Sequence, residues 1–264
     1  MTHAQTSPNA DTRSDRLSIR PIYLSDLKEV LRKGIADFNA QRSDVFFLAL
    51  IYPLIGIVLA RITVGHSVVP LLYPLVTGFA LIGPIAAIQF YELSRLREQG
   101  FNPTWSDAFN VVRHCSIGSI VVLGTLLAAI FLAWLTAAWV IYELTIGRQA
   151  PPSIVAFARD VFTTRSGWML ILLGNGIGLM FAVLVLSMSV VSFPLLLDQN
   201  VDALTAVQTS LRVVLVNPAT MAVWGLIVAG ALAIGFMLFL VGLAVVLPVL
   251  GHATWHLYRR VVVH

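Results

Sequence analysis

Long uncharged apolar runs alternate along this chain with shorter segments in which apolar residues recur every three or four positions among charged ones. The last of the runs, Val213 to Tyr258, contains no Lys, Arg, Asp or Glu and ends in GHATWHLY, just before Arg259 and Arg260. A helix crosses a hydrocarbon core in about 20 residues, so this run predicts two crossings folded back as a hairpin. The same reading along the whole chain predicts six spans, at roughly 45–61, 69–91, 114–143, 167–197, 219–235 and 238–258. The stretch from His114 to Tyr142 is long for one crossing and short for two; a single tilted helix is assigned to it.

The segments between the runs predict amphipathic helices. Ser25 reads as an N-cap for a helix with Leu27, Val30, Leu31, Ile35 and Phe38 on one face and Lys28, Glu29, Arg32, Lys33 and Asp37 on the other. A helix of that kind is expected to lie on the membrane surface. Gly100 ends the polar extension of the second span, where Glu92 and Arg95 are spaced to pair. Thr104 and Asp107 then resemble a capping box, opening a second surface helix with Trp105, Ala108, Phe109 and Val112 on one face. A third follows from Ile154, Phe157, Ala158 and Val161, and a fourth from Val201, Leu204, Val207, Leu211 and Leu215. Residues 1–18 are polar without periodicity and read as a disordered tail, leaving residues 19–264 as one integral-membrane domain. Gly78, Ala80, Pro84, Tyr91 and Arg95 have the same spacing as Gly242, Ala244, Pro248, Trp255 and Arg259, which suggests a duplicated hairpin.

Composition agrees with this class. Hydrophobic residues make up 58% of the 264 and charged residues 11%, with a mean hydropathy of +0.86, whereas soluble domains carry about a quarter charged residues. The fold class is therefore an all-α membrane protein, a six-span bundle with interfacial helices. The net charge of +4 does not point to nucleic acid, because the Lys and Arg lie in short loops and the N-terminal arm instead of one stripe. Their excess on the segments that share a side with the N-terminus places both termini in the cytoplasm. Trp105, Trp168, Trp224 and Trp255 fall near span ends, where indoles anchor helices at the headgroups. The single cysteine, Cys115, excludes an intrachain disulfide and a CxxC metal site. No basic segment followed by a short apolar run opens the chain, so no cleaved signal peptide is expected.

Candidate chemistry is sparse. His252 and His256 share a helix face, and His114 starts span three at the same depth. Imidazoles at that spacing can ligate zinc or haem, which makes these three the candidate metal ligands, although interfacial or structural histidines are the commoner case. Glu92, Arg95 and Asp198 end neighbouring spans on that same cytoplasmic side and form a polar cluster. Within span four, Gly174 and Gly178 make a GxxxG pair beside Asn175, a pattern suited to close helix packing and an interhelical hydrogen bond. The span cores lack Asp, Glu, Lys and Arg, which weighs against coupled ion transport and leaves a pathway for a neutral or lipidic solute. No HExxH, GxSxG, P-loop or GxGxxG motif occurs in its required context, so no catalytic residue and no cofactor are assigned.

Three stretches carry a family resemblance: GFALIGPIAAIQFYELSRLREQG (78–100), SFPLLLDQNVDALTAVQTSLRVVLVNP (192–218) and VLPVLGHATWHLYRR (246–260). They resemble the bacterial family known as domain of unknown function 2189, predicted integral membrane proteins, with GHATWHLYR as the most specific part. The resemblance implies an inner-membrane protein and supplies no activity, cofactor or catalytic residue. The sequence thus points to a non-enzymatic structural or accessory protein associating with lipid, a membrane partner or further copies of itself. The alternatives are permeation of a neutral or lipidic solute and His-dependent metal or haem binding.

Overall fold

The computed structural model describes residues 17–40, 69–104, 106–108, 116–147, 153–238 and 242–263. The first expected span, residues 1–16 of the expected tail, Trp105, His114 and Cys115 lie outside the described residues. Where they are described, the uncharged runs are helices, as apolar segments with no internal partner for their backbone other than themselves must be in lipid. Among the described residues three helical stretches are long and apolar enough to cross a membrane: Ile117–Thr145, Arg165–Asp198 and Pro218–Met237.

The elements run in the order β1 (Ser18–Ile19), α1 (Leu24–Ala40), a 3-10 turn (Val69–Leu71), α2 (Leu72–Ala86), α3 (Ile88–Glu98), α4 (Ile117–Thr145) and α5 (Ile154–Thr163). They continue with α6 (Arg165–Ser189), α7 (Ser192–Asp198), α8 (Ala203–Val216), α9 (Pro218–Met237), α10 (Leu243–Val261) and β2 (Val262–Val263). Helices α2 and α4 are antiparallel. Trp134 Nε1 donates to the Pro74 carbonyl at 3.0 Å, while at the other end Gly124 faces Ile85. Helix α6 returns beside α4, with Trp134 and Phe181 rings 5.7 Å apart and Ser116 Oγ donating to Gln199 O at 3.2 Å. Helix α10 folds back on α9 where Gly235 and Gly242 meet without side chains between them.

One end of this bundle carries a polar head built from α1, α3, α7 and the second half of α10. Strands β1 and β2 close it as an antiparallel pair, Ser18 opposite Val263 and Ile19 opposite Val262. Asn217, at the corner between α8 and α9, accepts from Ile22 N at 2.7 Å, and Thr220 Oγ1 donates to Ile22 O at 3.0 Å. The chain therefore runs toward the head in α2, away in α4, back in α6, away in α9 and back in α10.

Several expectations change. Span two is two helices, α2 and α3, interrupted at Ala87, and span four is α6 and α7, interrupted at Val190 and Val191. The expected tail ends earlier than residue 18, since Ser18 is already paired. Helix α1 begins at Leu24, and Asp26 instead of Ser25 takes the capping bond, accepting from Tyr23 N at 2.8 Å. Its apolar face is covered by α10 and not by lipid: Leu27, Val30, Gly34 and Phe38 are buried, and Gly34 lies against the Ala253 backbone. Trp224 and Trp255 are fully buried core residues, not headgroup anchors, whereas Trp168 is exposed. The two segments whose spacing suggested a duplication differ in continuity, because α10 runs unbroken through Pro248 while the chain breaks at Ala87, just after Pro84.

Other readings match. Span three is one helix of 29 residues. Gly100 stops α3 with φ of 87°, a conformation that suits a residue without Cβ. The capping box is half formed: Thr104 N donates to Asp107 Oδ2 at 2.8 Å, but Thr104 Oγ1 also donates to Asp107 Oδ2, at 2.9 Å, and Asp107 N donates to the Thr104 carbonyl instead of the hydroxyl.

Candidate functional site

The polar residues of the sequence meet in the head, where α10 packs between α1 and α3. Asp37 stands at the centre. Its place follows from helical spacing, because Val30, Gly34 and Asp37 lie on one stripe of α1, and that stripe is buried. Asp37 Oδ2 accepts from Ser94 Oγ at 2.7 Å and pairs with His256 Nε2 at 2.8 Å; Oδ1 meets Arg97 Nη1 at 3.3 Å. Burial pushes the Asp37 carboxyl up, but the bonds from His256 and Ser94, with the charges of His256 and His252, hold it below its ordinary value.

Ser94 also lies 2.8 Å from His252 Nδ1. A serine has one proton, and a carboxylate can only accept, so the Ser94 proton goes to Asp37. His252 Nδ1 must then carry a proton and donate it to Ser94 Oγ. That tautomer leaves Nε2 as a bare lone pair, and Nε2 is buried without a hydrogen-bond partner among the described residues. The Phe90 ring stands edge-on beside it, 5.7 Å between centroids.

A second group lies on the other flank of α10. Glu98 accepts from Trp255 Nε1 at 2.9 Å and Arg259 Nε at 3.1 Å. Asp198 accepts from Tyr258 OH at 2.7 Å and Arg259 Nη1 at 3.3 Å. Glu92 and Arg95 form the bidentate pair expected from their spacing, at 2.7 and 2.8 Å. At the N-terminus of α1, Asp26 accepts from Arg260 at 2.6 Å.

His252 and His256 thus do share a face, but their nitrogens are directed at Asp37, one directly and one through Ser94. No group of three or more His, Cys, Asp or Glu that could hold a metal ion occurs among the described residues, and His114 is outside them. Glu92, Arg95 and Asp198 lie in α3 and α7, both packed against α10. In α6, Asn175 Oδ1 accepts from Tyr73 OH at 2.7 Å, the interhelical bond expected of it. Of the two glycines of the GxxxG pair, Gly178 receives the Trp134 ring, while Gly174 has open space around it.

Sequence reading missed Asp37, Ser94, Glu98 and Tyr258. Asp37 carried a signal, an acid within an apolar stripe, although it was assigned to the polar face. Ser94, Glu98 and Tyr258 carried none, since a serine, a glutamate and a tyrosine near helix ends are ordinary surface residues.

An apolar helical bundle closed at one end by a paired polar head is the architecture of an integral membrane protein. Residues 71–198 match the family model described as predicted integral membrane protein (DUF2189), so the family resemblance of the sequence holds over that stretch. The match ends with α7, and GHATWHLYR, read as its most specific part, lies beyond it. No curated protein and no solved structure matches this chain.

Proposed function

We propose that this protein crosses the bacterial inner membrane six times, keeps both termini in the cytoplasm, and serves as a non-enzymatic structural or accessory protein for lipid or membrane partners. The observation that carries the role is the use of charge in the head. Asp26, Asp37, Glu98 and Asp198 each accept from α10, so these carboxylates join elements instead of facing a cleft. Connectivity supports the crossing number. Helix α1 lies in the head while α2 starts at the opposite end of the bundle, and the apolar stretch 45–61 stands between them in sequence. With α2, α4, α6, α9 and α10 alternating in direction, one crossing there makes six and returns both termini to one side. The distribution of Lys and Arg makes that side the cytoplasm.

Reporter fusions test the topology: green fluorescent protein should fluoresce at the C-terminus, and alkaline phosphatase should be active after Gly147. An active phosphatase at the C-terminus would sink the six-crossing reading. For the role, any phenotype of Asp37→Asn should follow loss of protein and recover when abundance is restored. A variant as abundant and stable as the parent yet without function would place chemistry at Asp37.

A further inference from the structure

Helix α8 is built inside out. Its protein-facing side is small and polar: Ala206, Thr209, Ser210 and Val213 are buried. Ser210 Oγ accepts from Val191 N at 3.3 Å, and Ser192 Oγ donates to Ala206 O at 3.0 Å. The large apolar residues face outward, with Leu204 63% exposed, Leu211 38% and Leu215 78%. At 3.6 residues per turn these three positions fall within an arc of about 40°, with the exposed Gln208 and Arg212 about 20° and 60° beyond it. A water-facing helix would place leucines inward and polar residues outward.

Position identifies what covers the stripe. Helix α8 has 14 residues, too few to cross, and Asn217 joins it directly to Pro218, the first residue of the span α9. Its other end follows α7, where the stretch from Arg165 to Asp198 ends. Both neighbours fix α8 at the depth where spans leave the bilayer. The outward face is poor in charge, with Arg212 exposed near the leucines, so burial of apolar surface and not attraction to anionic headgroups would hold it.

Resting on the reading that α6 and α9 cross the membrane, we propose that α8 lies in the membrane plane with Leu204, Leu211 and Leu215 in the headgroup–acyl boundary. There it seats the head on the bilayer through its bonds to α7 and the residues before it. The ligand class is the lipid surface itself, zwitterionic or anionic alike.

Nitroxide labels decide the question. In a Cys115→Ser background, the protein is labelled at Leu204→Cys, Leu211→Cys, Leu215→Cys or Arg212→Cys, and at Leu179→Cys in the middle of α6. Each is reconstituted in phosphatidylcholine vesicles with and without phosphatidylglycerol, and relaxation by oxygen and by a water-soluble nickel chelate is compared. The leucine positions should show an oxygen-to-nickel ratio several-fold above Arg212, unchanged by phosphatidylglycerol. Ratios at 204, 211 and 215 as low as at 212, with Leu179 still oxygen-rich, would overturn the proposal and leave the crossings intact. Immobile labels that neither reagent reaches would overturn it by showing a protein partner on the stripe. A nickel-accessible Leu179 would instead overturn the crossing reading beneath it.

Discussion

Ser94 is the single side chain on which the head's polar centre turns, because one hydroxyl serves both Asp37 and His252. Ser94→Ala leaves a buried imidazole N–H without an acceptor and removes one donor from Asp37. The expected cost is about 1–3 kcal/mol, read as a fall in the thermal unfolding midpoint of the detergent-purified protein. Asp37 adds a pH dependence. Its folded pKa lies below the ordinary 3.8, so the unfolded chain binds the extra proton. Its contribution is complete above that ordinary value and is lost as pH falls through the lower folded one. Unfolding followed downward from about pH 5 should therefore show a steeper loss in the parent than in Asp37→Asn. Asp37 carried a signal in the sequence, an acid at core spacing, but was assigned to the polar face. The tautomer of His252 was not legible, since it depends on which neighbour takes the serine proton.

Helices meet here through glycine, and the contacts rank the glycines. A Cβ on Gly34 would stand 2.7 Å from the Ala253 backbone nitrogen, which cannot move without moving α10. Gly34→Ala should separate α1 from α10, at a cost of about 1–3 kcal/mol in unfolding midpoint measurements. Gly178 and Gly174 form a sharper pair. A side chain at 178 meets the Trp134 ring at 3.0 Å, whereas one at 174 meets nothing. Gly178→Leu should destabilise the purified protein, and Gly174→Leu should leave its unfolding midpoint within error. If crosslinking shows oligomers, Gly174→Leu is the variant that would reveal a second copy on that face of α6. The GxxxG spacing was plain in the sequence, but which glycine receives a neighbour depends on the rotation of α6 against α4. The breaks at Ala87 and at Val190–Val191 were equally hidden. Apolar residues continue through both, and the second is closed by Ser210, distant in sequence.

At the scale of the molecule, the N-terminal segment is part of the fold. Helix α1 covers the α10 face that includes Ala253 and the two histidines, and β1 pairs with β2. Removing residues 1–40 should expose that apolar face and leave Arg260, Arg97 and His256 without Asp26 and Asp37, the carboxylates they pair with. The truncated protein is expected to accumulate at a small fraction of the parent level and to elute as aggregate in size-exclusion chromatography. Normal yield with a monodisperse profile would show that the head stands without α1.

By itself the sequence determined that this is an all-helical membrane protein, which stretches are apolar enough for lipid, and which segments between them are amphipathic. These follow from composition and local periodicity, because lipid demands apolar helices whatever their neighbours. Only the tertiary structure decided that α1 buries its apolar face on α10 while α8 turns its leucines outward. Periodicity names the apolar face of a helix, but whether that face meets protein or lipid depends on what lies beside it. The same holds for the histidines of α10. Their spacing put them on one face, and the arrival of Asp37 and Ser94 from two other helices decided what they bond.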